Sequence, residues 1–307
     1  MLAIAATAIT IQDAFQGNQQ EFAIAFATVQ IIITYLWWSI GLYDPGHRVF
    51  SIYYTVSYSI AFILLIVSAF ASYDTATTLW VTALIFNLAP PVVGGRNVVK
   101  VLKQRGQVFT ASAAIVERFG LFTIIVLAES VLGIVTGIAE ISDKQAAVWF
   151  AFILAMLIAF LLWSLYFDMT SEQETKEGYW YLQCFVLLHF PLLASLGVVG
   201  ACMKVSLANM QSGLAINLQW MMSIATASIL YMIIGVTRIM KEDEEDRSYI
   251  RPVSGISVIA ALCILAIPLF GRSLTTLTYF SLLAVILLIP VFVGVKHWIR
   301  YKFFSDV

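Results

Sequence analysis

FGLFTIIVLAESVLGIVTGI, residues 119–138, carries a single ionisable side chain, Glu129, in a run otherwise made of apolar and small residues. GYWYLQCFVLLHFPLLASLGVVGAC, residues 178–202, carries His189 in the same way. A helix crosses the hydrocarbon of a bilayer in about 20 apolar residues, which both runs supply. Neither alternates, and both are too long for the strands of an outer-membrane barrel. Working outward, seven more complete spans are read at residues 21–42, 52–72, 77–94, 146–167, 216–238, 252–270 and 274–295. Residues 1–11 read as the tail of a further helix. The fold expected is an all-α polytopic transmembrane bundle of nine full spans plus a partial amino-terminal helix, forming a single integral membrane domain over residues 1–307. Composition agrees: 61% hydrophobic and 11% charged residues leave too little polar surface to cover a soluble body. No basic region precedes the first apolar stretch, which argues against a cleaved signal peptide.

The net charge of -1 hides an asymmetry between the two ends of the spans. Threading the spans alternately puts Arg48, Arg96, Lys100, Lys103, Arg105, Arg118, Lys176, Arg238, Lys241, Arg247, Arg251, Lys296, Arg300 and Lys302 on one side. Lys144, Lys204 and Arg272 fall on the other. By the positive-inside rule the carboxyl terminus is cytoplasmic.

The connections are short and leave no room for a soluble catalytic domain. The segment from Gly95 to Val116 carries Arg96, Lys100, Lys103 and Arg105 among valines and leucine. Its spacing fits a short amphipathic helix at the cytoplasmic surface, and these four bases are candidates for lipid headgroups, with a topology signal as the plainer reading. KEDEEDRSYIRP, residues 241–252, is read as a solvated acidic turn. Cys184, Cys202 and Cys263 lack the spacing of a disulfide framework or zinc site and are read as packing residues. Proline frees a helical carbonyl one turn earlier. Pro191 beside His189, and Pro90 and Pro91 after Asn87, therefore mark two helices as candidate cavity-lining breaks.

Counted from the span ends, Glu129, His189 and Asn87 come out near the midplane, so they are the candidate proton or substrate site. In hydrocarbon a carboxylic acid and an imidazole are pushed toward their uncharged forms unless they pair, and proton exchange is the chemistry such a pair offers. The alternative is that each is neutral, hydrogen-bonded to a neighbouring helix, and serves only as interhelical glue. Glu117 and Arg118 at the start of the Glu129 helix, and Asp168 at the end of the preceding-to-His189 span, are candidate motif or gate residues. Asp168 is expected to have a basic partner, Arg118 or Arg96. Trp37, Trp38, Tyr43, Trp163, Tyr166, Tyr179, Trp180, Tyr181 and Trp298 read as an interfacial aromatic belt.

No lysine lies deep in a span for a retinal Schiff base, and the three histidines form no HExxH pattern. There is no phosphate-binding glycine loop. The expectation is therefore no metal, no cofactor and no nucleic acid partner.

Three motifs together, ERFGLFTIIVLAESVLGI from Glu117, LLWSLYFD from Leu161 and LLHFPLLASLGVVGA from Leu187, resemble the bacterial low temperature requirement A family. The resemblance implies a bacterial integral membrane protein linked in name to growth in the cold, with no settled biochemical activity. It places Glu117, Arg118, Glu129, Asp168 and His189 within the family's motifs. Two departures stand out: Ala128 takes the place of the glycine that commonly precedes the glutamate, and the chain begins after an acidic and aromatic segment with which such proteins usually start. The leading expectation is an inner-membrane transporter or channel coupling an unknown small solute to protons. A membrane-embedded lipid-modifying enzyme is a less favoured alternative, because no nucleophile or metal set is recognisable. A structural or lipid-sensing protein is the third.

Overall fold

A computed structural model describes residues 2–15, 17–106, 110–139, 141, 144–170, 174–210, 213–241, 244–270 and 274–304. The regular elements among them are helices: α1 Leu2–Phe15, α2 Gln19–Tyr43, α3 Arg48–Ser68, α4 Tyr73–Leu88, α5 Pro90–Arg105, α6 Ala113–Ala139, α7 Ala146–Thr170, α8 Tyr179–Ala208, α9 Ile216–Ile239, α10 Glu244–Phe270 and α11 Thr276–Phe304. A single antiparallel bridge joins Thr175 and Met240. Nine of the described helical segments are long and apolar enough to cross a bilayer, and α1 is a shorter apolar helix. The all-α polytopic class is thus found as read, with several span ends shifted by a few residues and the third span much extended. The third span does not stop near Gly94. It runs on through Ala89, which keeps right-handed helical angles, into α5. Pro90 and Pro91 occupy the first positions of α5, where a missing N–H costs little.

The chain forms two compact units, Met1–Val108 and Phe109–Val307. In the first, α2, α3 and α4 meet through small side chains, Ala27, Ala61 and Ala83, with Leu65 between them. The expected amphipathic helix is α5. It buries Pro91, Gly94, Val98 and Leu102, one face at helical spacing, and packs on α3. Gly106 ends it with a left-handed φ of 63°, its N–H bonded to the Leu102 and Lys103 carbonyls.

The second unit holds a large core and a smaller one around Val116, Phe185 and Val236. Leu161, Leu162 and Leu165 of α7, Leu192 and Met203 of α8, Leu230 of α9, Ile264 of α10 and Tyr279 and Phe280 of α11 are all buried in the large one. Helices α6 and α8 run side by side in the same direction, since Ser130, Gly133 and Gly137 meet Leu196, Gly200 and Lys204 in order. A Cβ on Gly200 would come within 2.5 Å of the Ser130 Oγ, so the two backbones approach as closely as glycine permits. The segment read as an acidic turn is helical from Glu244, the start of α10; Glu242 and Asp243 lie outside the described residues, as do the side chains through Tyr249. Arg272 and the Trp298, Arg300 and Lys302 side chains do too.

Candidate functional site

His189 is 0% exposed and sits ten residues into α8, two residues before Pro191. Its Nδ1 lies 2.7 Å from the Phe185 carbonyl oxygen, which only accepts, so Nδ1 carries a proton. In the neutral ring Nε2 is then an acceptor, and the Tyr166 hydroxyl of α7 donates to it at 3.1 Å. Rings close around the imidazole, with the centroids of Phe185 and Phe119 at 4.4 and 4.7 Å and Tyr166 at 6.0 Å. The Thr123 hydroxyl of α6 and the Thr170 hydroxyl of α7 flank the phenol. Thr170 also donates to the Tyr166 carbonyl at 2.5 Å. Three helices thus converge on one buried, hydrogen-bonded imidazole–phenol pair.

The sequence places Tyr166 in the aromatic belt. It is buried instead, and so is Tyr179, whereas Trp38, Tyr43, Trp163, Trp180 and Tyr181 are exposed as a belt requires. The signal that distinguishes Tyr166 is its place between Leu165 and Met169 on the buried side of α7.

Glu129 is not among the partners of His189. Helix α6 begins at Ala113 rather than near Phe119, so Glu129 lies sixteen residues along it and His189 only ten along α8. The turn that meets the imidazole is that of Phe119 and Thr123, six residues below Glu129, or about 9 Å along the axis. Glu129 also points elsewhere: its neighbour Ser130 faces α8, and Glu129 and Ala128 lie on the exposed face of α6 with Ile125 and Leu132. The close approach of α6 to α8 is made by Ser130, Gly133 and Gly137, not beside the Ala128 that replaces a glycine.

Asn87 belongs to the first unit. Its Oδ1 accepts from Gln30 Nε2 at 2.8 Å, and its Nδ2 donates to the Ala83 carbonyl. The carbonyl of Phe86, which Pro90 deprives of its usual N–H partner, accepts from the Ser57 hydroxyl at 2.5 Å. Gln30 and Ser57 are the residues that sequence reading passed over; both are polar positions inside the spans of α2 and α3.

Glu117 and Arg118 are exposed on the first turns of α6. Asp168 accepts from Ser164, one turn earlier in α7, at 2.7 Å, and this hydroxyl takes the place of the arginine expected for it. Arg96, Lys100 and Lys103 are exposed on α5, while Arg105 donates to the Gly46 carbonyl at 2.7 Å. Among the described residues no group of three or more His, Cys, Asp or Glu side chains is placed to hold a metal.

The bacterial low temperature requirement A (LtrA) family model matches residues 1–292. This chain belongs to that family. Within the LtrA match lie both the His189–Tyr166 pair and the Gln30–Asn87 pair. No curated protein and no solved structure matches the chain significantly.

Proposed function

We propose that this LtrA-family chain is a transporter of the bacterial inner membrane, carboxyl terminus cytoplasmic, that couples a small solute to protons. His189 is its proton-binding group and Glu129 a second, separate candidate on the exposed face of α6. The observation that carries the reading is the fully buried His189–Tyr166 pair, whose hydrogen bonds leave Nε2 as the basic site with a phenolic proton already directed at it. The Thr123 and Thr170 hydroxyls, which donate to the Phe119 and Tyr166 carbonyls, flank the phenol and keep the surroundings of the pair polar. Pro191, two residues after His189, removes one backbone hydrogen bond from the same helix, a weak point of the kind found in helices that line transport sites.

The test is proton flux into proteoliposomes carrying an internal pH-sensitive dye under an imposed potential. His189→Phe keeps a ring in the aromatic cage, and Tyr166→Phe removes only the hydroxyl. Flux in the intact protein that falls about tenfold or more in both variants, with unchanged melting, is the expected result. Glu129→Gln reports separately on the carboxyl. Flux no greater than in empty vesicles, or flux unaffected by His189→Phe, overturns the proposal.

A further inference from the structure

We propose that the first unit binds an anionic phospholipid along α3 and α5, with an acyl chain in a membrane-facing cavity and the phosphate held by Arg96 and Lys100. This site is independent of the proton reading, since it uses other residues in the other unit. The cavity encloses about 400 Å³ and is lined by Ile52, Tyr53, Val56, Ser57, Phe86 and Val93, with Ile60, Ala89 and Pro90 completing it. That is within the range of about 300–1,000 Å³ typical of ligand pockets. Its one inward hydroxyl, Ser57, is already committed to the Phe86 carbonyl, so the interior offers an occupant only apolar contact. Its mouth is apolar too: Ile52 is 57% exposed, Val56 55% and Val93 68%.

The wall of this cavity continues directly into charge. Val93, Arg96, Lys100 and Lys103 follow one another on α5 at intervals of three, four and three residues, a single stripe opposite the face that packs on α3. Depth places the change of character where a lipid changes its own. Helices α4 and α5 together run 33 residues from Tyr73 to Arg105, and at 1.5 Å per residue a hydrocarbon layer of about 30 Å is spent near Val93. Arg96 and Lys100 then stand in the headgroup layer, one and two turns beyond the apolar mouth. An arginine fork grips phosphate in two directions and a lysine adds a point charge. Asn97 donates to the Tyr53 hydroxyl at 2.6 Å, which leaves the phenolic O–H to donate to a ligand oxygen at the same rim. The Tyr53 ring is held against α5 because position 94 is glycine; a Cβ there would come within 2.7 Å of the ring. Arg105 is excluded from the site by its bond to Gly46. A free anion has no use for an apolar mouth at hydrocarbon depth, and an uncharged lipid has none for the stripe, so the combination selects an anionic phospholipid.

The full chain, delipidated in mild detergent, is titrated with phosphatidylglycerol, with phosphatidylcholine and with inorganic phosphate, reading bound lipid by native mass spectrometry and the shift in melting temperature. Phosphatidylglycerol should bind and stabilise, and the other two should not. Arg96→Gln with Lys100→Gln, both on an exposed face, should weaken phosphatidylglycerol at least about tenfold. Val93→Trp, at an exposed position, should fill the mouth and lower binding with the charges intact. Equal response to the two lipids, the same stabilisation by phosphate alone, or undiminished binding in either variant overturns the proposal.

Discussion

The spans of the first unit bury 17–22% of their most apolar windows within the protein, those of the second 33–61%. The buried residues differ as well. In the first unit they are mostly small, Ala27, Ala61 and Ala83 around Leu65, and the helices are fastened by polar pins: Gln30 to Asn87, Ser57 to the Phe86 carbonyl, and Trp80 Nε1 to Ser68 Oγ at 2.9 Å. In the second they are large, with Leu192, Met203, Tyr279 and Phe280 interlocked across several helices and Phe185 in a smaller cluster. Lipid tails are as apolar as leucine, so neither unit gains much from hiding apolar surface from water. One holds together by a few directional bonds, the other by fitted volume, and each is therefore vulnerable to a different kind of substitution.

The largest effect is expected where volume rules. Gly200→Leu drives a side chain into Ser130, with a clash at the Cβ already, and should cost about 1–3 kcal/mol or more. Gly197→Leu, one turn away with nothing within 4 Å of its Cβ, should cost less than about 0.5 kcal/mol. Thermal melting in detergent compares the two, and equal losses would mean that the α6–α8 seam is not what sets stability. Next come the pins. Gln30→Leu and Asn87→Leu should each destabilise, with a coupling of roughly 0.6–1.7 kcal/mol in a double-mutant cycle read by SDS titration. No coupling would reduce the first unit to packing alone.

The smallest effect belongs to exposed charges near the span ends. Glu174 Oε2 lies 2.9 Å from Lys241 Nζ and holds the ammonium above the usual lysine range. A raised lysine contributes stability below about pH 10.4, lost as pH rises through the higher folded value. Asp44 is held below the usual carboxylate range by its hydrogen bond from His47 at 2.7 Å. Its contribution is present above about pH 3.9 and lost as pH falls through the lowered value. Both pairs are solvent-exposed, so Lys241→Gln should shift melting least of the variants above, and salt should erase the difference. A larger shift than Gln30→Leu would reverse the ordering.

The spans were legible because a bilayer demands about 20 apolar residues whatever the packing, and the bases of α5 were legible as an amphipathic helix from their spacing. The continuation of the third span through Pro90 and Pro91 was not, because a proline pair reads equally well as a stop and as the first turn of the next helix. His189 stands out in the sequence as a polar group within a span, and the structure buries it completely. Its partner was beyond reach of the sequence: the pairing with Tyr166 depends on the register between α7 and α8, and a tyrosine near a span end looks the same whether it faces inward or toward the interface. The depth assigned to Glu129 failed to match His189 for a local reason, the six extra residues at the start of α6. Gln30 and Ser57 went unnoticed because single amides and hydroxyls within a span are common and gain meaning only from the carbonyl or amide they meet.

The bond from His189 Nδ1 to the Phe185 carbonyl has one more consequence. While that nitrogen stays bonded to its own helix, Nε2 is the ring nitrogen open to a further proton, and turning the ring over would break the bond. If His189 binds protons as proposed, the imidazole is a cul-de-sac rather than a stepping stone: a proton would return by the door it used, unless the helices around it rearrange and give that door a different outlook. A wire of waters needs no such movement, whereas a dead end demands it, and so this one hydrogen bond ties any net passage through His189 to a change in the shape of the protein.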